Sequence, residues 1–247
     1  MTIREAEWQK YIDKLAKINA KAAELMQKWI AVHGLDDMDA AVRYAYALAT
    51  KYGEASAALA CEAYDAIAIA SGAAVPAALP AETATFAETA KAINGTMLNL
   101  NNSVPATVSR LVKQAGADTT LKNARRDGAQ FAWVPHGETC AFCIMLASNG
   151  WQYMSSRALK NGHAEHIHAN CDCQYAVRFD RESNVAGYNP QEYRDLYYGA
   201  EGNTPQERLN SMRREFYAEN KERINEQKRD AYQKRKAEID AEEYDLT

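Results

Sequence analysis

The sequence predicts an α+β fold, predominantly α, in three parts: a helical bundle over residues 1–122, a small two-strand module over 123–182, and a charged helical arm over 183–247. Three observations lead there. Apolar residues recur at helical spacing through the first half. Four of the five cysteines crowd between Cys140 and Cys173, and the residues after Pro205 alternate in charge with few apolar anchors. The composition, 47% hydrophobic and 25% charged, is that of a globular chain. A formal net charge of -4 argues against general adhesion to duplex DNA. No apolar run is long enough to span a bilayer, and the charged start "MTIREAEWQKYIDKL" does not read as a secretory signal.

The first helix is predicted by Trp8, Tyr11, Leu15, Ile18, Ala22, Leu25 and Trp29, whose alternating spacings of three and four lay them along one stripe. Gly34 is a stop signal, and Asp36 and Asp37 supply N-cap chemistry for a second helix over Asp37–Ser71. That helix is rich in alanine, so it should approach its neighbours closely on more than one face. Pro76 and Pro80 in "GAAVPAALPAET" break the pattern. A third helix is expected from about Thr83 to Asn99, and a fourth from Pro105 to about Ala115. Cys61, on an apolar helix face, reads as a small buried thiol.

From Arg125 to Phe179 the composition changes. "AQFAWV" (129–134) and "CQYAVRF" (173–179) are rich in aromatic and β-branched residues and bounded by turn formers, so both read as short strands. "CAFCIMLASNG" between them reads as a short helix stopped by Gly150. Farther on, "NPQE" and "TPQE" each place a capping residue (Asn189, Thr204) before a proline and a glutamate, a capping box with a proline start. The helix that begins at Pro205 carries Leu209, Met212, Phe216, Ile224, Tyr232 and Ile239 as its sparse apolar positions. A helix so polar is either solvated or laid against a partner.

The donor groups carry the chemistry. Cys140 and Cys143 form a C-x-x-C knuckle, a spacing that turns two sulfurs toward one point. His168, Cys171 and Cys173 form H-x-x-C-x-C downstream. Thiolates and imidazoles in this number suit a tetrahedral structural Zn²⁺, and a metal suits a module with too little sheet to bury a large core. Five donors compete for four places: Cys140, Cys143 and Cys171 come first, and the fourth is His168 or Cys173. His136, His163 and His166 are secondary candidates. A second reading is a zinc-dependent hydrolase or nucleobase deaminase in which "HAE" (163–165) supplies a histidine ligand and Glu165 moves protons. Against it, the C-x-x-C precedes the HAE, Thr139 stands where that chemistry has proline, and a C-x-C follows. A thiolate-rich site also tends to be closed.

The stretch "RRDGAQFAWVPHGETCAFCIMLASNGWQY…HIHANCDCQYAVRF" resembles the core of the Mu-F-like minor head proteins of tailed bacteriophages, also called head morphogenesis proteins. The resemblance covers about Arg125 to Phe179 and falls on Asp127-Gly128, Cys140, Cys143, Gly150, His168, Cys171 and Cys173. Asp172 stands where a basic or aromatic residue is usual. The resemblance implies a structural, non-enzymatic protein, assembled in the host cytoplasm into the interior of the phage head. The implied partners are the portal protein and the inner capsid wall, with room for contact with packaged DNA and no membrane in the assembled head. The tail after Arg181 holds no histidine, so it offers no Ser/His or Cys/His arrangement and reads as an arm.

Overall fold

The computed structural model describes residues 2–97, 103–137, 139–154, 171 and 173–245. The chain divides into two compact units, 1–194 and 195–247. The fold is α+β and mostly helical, with a small antiparallel sheet, as the sequence predicts.

In the first unit, α1 (Glu5–His33) ends at Gly34, whose φ of 68° suits the residue after a helix. Its deepest line is Trp8, Ile12, Leu15, Asn19, Ala22 and Met26. The predicted stripe is rotated slightly from this. Tyr11, Ile18, Leu25 and Trp29 flank the buried line and are partly buried against the core. The rotation places Asn19, 3% exposed, inside the bundle, where neither side-chain amide atom finds a partner among the described residues.

Helix α2 (Met38–Ala70) starts where Asp37 accepts the Ala40 N–H at 2.9 Å, the expected N-cap. Its small residues permit close approach: a Cβ on Gly116 of α4 would lie 2.6 Å from Ser56 Oγ. Helix α3 (Phe86–Met97) is opened by a capping box between Thr85 and Glu88; its expected end at Asn99 lies outside the described residues. Helix α4 (Val104–Asp127) runs far beyond the end expected near Ala115, stopping only at Gly128 in the left-handed region, φ 65°. Fifteen of its positions are buried, among them Lys113, Thr119, Thr120 and Asn123, so it shows no one-sided apolar stripe to read.

The proline-containing segment after α2 is not a free connection. Ala78 N–H donates to Asp65, Leu79 N–H and C=O are both engaged by the Asn123 amide, and Ala81 N–H donates to Thr119. Arg126 donates to the carbonyls of Pro76 and Ala77. Side chains of α2 and α4 thus bind an extended strap that carries no secondary structure of its own.

The sheet has the order β3–β2–β4: β2 (Gln130–Val134) pairs antiparallel with β3 (Gln152–Tyr153) and with β4 (Gln174–Arg178). β2 and β4 are the two expected strands. β3 was not expected, and neither was a parallel bridge between β1 (Thr2–Ile3) and β5 (Asn184–Val185), because two-residue strands leave no alternation to detect. β4 is buried at Gln174, Tyr175, Ala176 and Val177, so both its faces are covered. Phe131, Trp133 and Tyr175 pack edge to face at 4.6–5.6 Å. One core joins Trp8, Ile12, Tyr64 and Leu121 of the helices to Phe131, Trp133, Tyr175 and Val177 of the sheet, running across position 122/123. A second fills the far end of the helices around Met26, Val42, Ile93, Val108 and Val112.

Helix α6 (Pro190–Gly199) begins at Asn189, which caps it and bonds Glu192. In the second unit, α7 (Pro205–Asp245) opens with the expected box: Glu207 N–H donates to Thr204 Oγ1, and Glu207 accepts the N–H groups of Asn203 and Thr204. Leu209, Ser211 and Met212 are buried, whereas the described side chains beyond them are exposed or partly exposed.

Candidate metal centre

Helix α5 (Ala141–Ala147) begins immediately after Cys140, which stands at its N-cap position, and Gly150 (φ 63°) lies just beyond its end. One helical turn places Cys143 on the inner side, 1% exposed. Cys171 and Cys173 lead into β4, and the sulfurs of Cys143, Cys171 and Cys173 all lie within 4.8 Å of one another. Cys143 Sγ and Cys171 Sγ are 3.3 Å apart. A tetrahedral Zn²⁺ with Zn–S bonds of about 2.3 Å holds its sulfurs about 3.8 Å apart, a spacing inside this observed range. Three convergent sulfurs, two of them almost fully buried, fit a thiophilic ion.

The surrounding backbone orients them. Cys173 N–H points at Cys171 Sγ (3.4 Å), and His136 N–H points at Cys173 Sγ (3.3 Å). Lys113, 3% exposed at the middle of α4, donates its ammonium to the carbonyl of Cys171. Hydrogen bonds from the Cys143 and Cys173 thiols, with the Cys173 N–H and the Lys113 charge, hold the Cys171 thiol far below the ordinary range. Hydrogen bonds with Cys140, Cys171 and Cys173, together with burial, push Cys143 up. Thiols this close compete for negative charge, and a bound cation would relieve that competition.

Of the predicted ligands, Cys143, Cys171 and Cys173 are brought together. Cys140 is partly buried and bonds to Cys143. His168 lies outside the described residues, as do His163, Glu165 and His166. His136 meets the cluster through its backbone, while its ring Nε2 faces Gln9 Nε2 at 3.3 Å, so its imidazole is directed elsewhere. Cys61 stands apart on α2, half-buried rather than buried. Lys113 was missed by sequence reasoning. In "VSRLVKQAG" it is one of two cations, beside Arg110, and nothing local sets it apart from a solvent-facing lysine.

The Asp127-Gly128 motif acquires a structural account. Asp127, whose side chain is 2% exposed, accepts the Tyr64 hydroxyl at 2.8 Å and a two-point contact from Arg126 at 2.7 Å. Arg126 also holds the strap, so Asp127 ties α2, the end of α4 and residues 76–77 together just before β2 begins.

A family model described as VG15 protein matches residues 2–200. The match spans the helices and the sulfur cluster and stops before α7. No curated protein and no solved structure matches the chain.

Proposed function

The chain belongs to the VG15 protein family, which points to a phage protein, and from that premise we propose that it is a structural minor capsid or head morphogenesis protein. It sits inside the head of a tailed phage and associates with the portal. The observation that carries this reading is the built module between Asp127 and Arg178: an Asp-Gly hub, a strand, a cysteine knuckle on a short helix, and C-x-C entering the paired strand. These are the positions through which the sequence resembles Mu-F-like minor head proteins. The centre acts as a structural Zn²⁺ site. Cys143, Cys171 and Cys173 supply three thiolates, and His168 or Cys140 supplies the fourth ligand. Burial of Cys143 and Cys173, at 1% and 0% exposure, suits a closed site that braces the fold rather than one that presents water to a substrate. Among the described residues no helix is long and apolar enough to cross a membrane.

The second unit serves as the docking arm. Among the described side chains of this long helix only Leu209, Ser211 and Met212 are buried, and its charged length suits a partner, the portal or the inner capsid wall, and contact with packaged DNA. Several copies around a symmetric ring would add weak contacts into firm attachment. Mass spectrometry and cryo-EM of purified heads test the proposal. The expected result is a few copies per head located at the portal vertex. Absence of the protein from mature and precursor heads alike would overturn it.

A further inference from the structure

We infer, resting on the metal-centre reading above, that Lys113 is a positioning and charge-balancing residue for the metal–thiolate centre, built into the helical bundle and not into the cysteine module. Lys113 lies in the middle of α4, 58 positions before Cys171, and is 3% exposed. Taking an ammonium out of water costs several kcal/mol, so a lysine this deep is held in place by polar or charged groups, of which the Cys171 carbonyl is one. A divalent ion held by three or four thiolates is an anionic group, so an ammonium bonded to the carbonyl of one of its ligands favours the loaded centre. The ammonium donates to the carbonyl oxygen of Cys171. That bond fixes the first peptide of the C-x-C turn, in which Cys173 N–H points at Cys171 Sγ and the two sulfurs face Cys143. Lys113 therefore has two effects on the centre. It sets the orientation of one ligand, and it offsets the charge that loading creates. Outer residues of this kind typically change metal affinity by about 10–100-fold when replaced.

The test uses the full-length chain, Zn²⁺ and Co²⁺, and the variants Lys113→Gln, Lys113→Met and Lys113→Arg. Zn²⁺ affinity is read by competition with a chromophoric chelator, and the ligand set by the thiolate-to-Co²⁺ charge-transfer bands. Lys113→Gln and Lys113→Met should bind Zn²⁺ about 10–100-fold more weakly than the parent while keeping the parent's Co²⁺ spectrum. Lys113→Arg should recover part of the loss. A merely structural lysine would instead lower the melting temperature of metal-free and loaded protein alike with no selective effect on affinity, and that result overturns the inference. Unchanged affinity in both neutral variants overturns it too. If the parent chain itself binds neither ion, the metal-centre reading fails, and the inference falls with it for that separate reason.

Discussion

Replacing Asp127 with alanine isolates the hub that joins α2, α4 and the strap. The carboxylate accepts one hydrogen bond from Tyr64, which is 1% exposed, and two from Arg126, whose side chain is 29% exposed. Its removal leaves the Tyr64 hydroxyl buried and unpaired, a cost of about 1–3 kcal/mol. The Arg126 pair, partly screened by solvent, adds at most about 1 kcal/mol. The expected loss is therefore about 1–4 kcal/mol, measured by urea denaturation followed by far-UV circular dichroism. Tyr64→Phe removes the donor but leaves Asp127 with Arg126, so it should cost only about 1 kcal/mol. The double variant should lose less than the sum of the singles, with a coupling on the order of 1 kcal/mol. The pH dependence has a definite sign. Arg126 first, with Tyr64 adding, holds the Asp127 carboxyl below its usual range against the effect of burial. The gap between parent and Asp127→Ala should thus be complete above the unfolded carboxyl value of about 4 and close as pH falls through the depressed native value. Strict additivity of the two single variants, or an Asp127→Ala protein as stable as the parent, would refute the hub.

One Zn²⁺ per chain is expected by elemental analysis, and chelation should lower the stability of residues 1–194 as one transition, because Cys143 and Cys173 belong to the same core as Trp8, Tyr64 and Leu121. Cys143→Ser should abolish loading, whereas His136→Ala should retain it. Leu15→Asp, at a position 2% exposed, should cost several kcal/mol in thermal denaturation; an unchanged melting temperature would place that helix face elsewhere. Burial raises the phenols of Tyr11, Tyr64, Tyr175 and Tyr188, so their contribution is full below the unfolded value of about 10 and is lost above it. Stability measured from pH 8 to 12 should fall steeply past that point, coincident with phenolate absorbance. Deleting 205–247 should leave metal content intact and abolish incorporation into heads; normal packaging of the truncated chain would assign the anchor to the helical half.

Cys143, Cys171 and Cys173 were legible as donors because C-x-x-C and C-x-C are short-range patterns, but Cys140, the first cysteine of the knuckle, is not among the three sulfurs that converge. Lys113 was not legible, since it reaches Cys171 only through the packing of α4 against the sheet, and that packing has no local signature. The first helix shows an intermediate case. Its period was readable from Trp8 to Trp29, but which side of a broad apolar arc lies deepest depends on neighbours, and those neighbours put Asn19 inside. Helix α4 defeated the period altogether, being buried on every side with threonines, an asparagine and a lysine among its interior positions. Asp127-Gly128 was visible as a motif, and its purpose emerged only with Tyr64 in place.

The strap between α2 and α3 has a practical corollary. By composition, "AAVPAALP" is where a tag, a protease site or a fused domain would naturally be inserted, for it is proline-rich, alanine-rich and largely exposed at its side chains. Several of its amides and carbonyls, however, are occupied by Asp65, Asn123 and Arg126, and the Ala81 N–H just beyond it by Thr119. Cargo placed there would compete with the protein for its own backbone. The exposed turn after α1 is the more tolerant place to graft a label, provided Gly34 itself, at φ 68°, is kept.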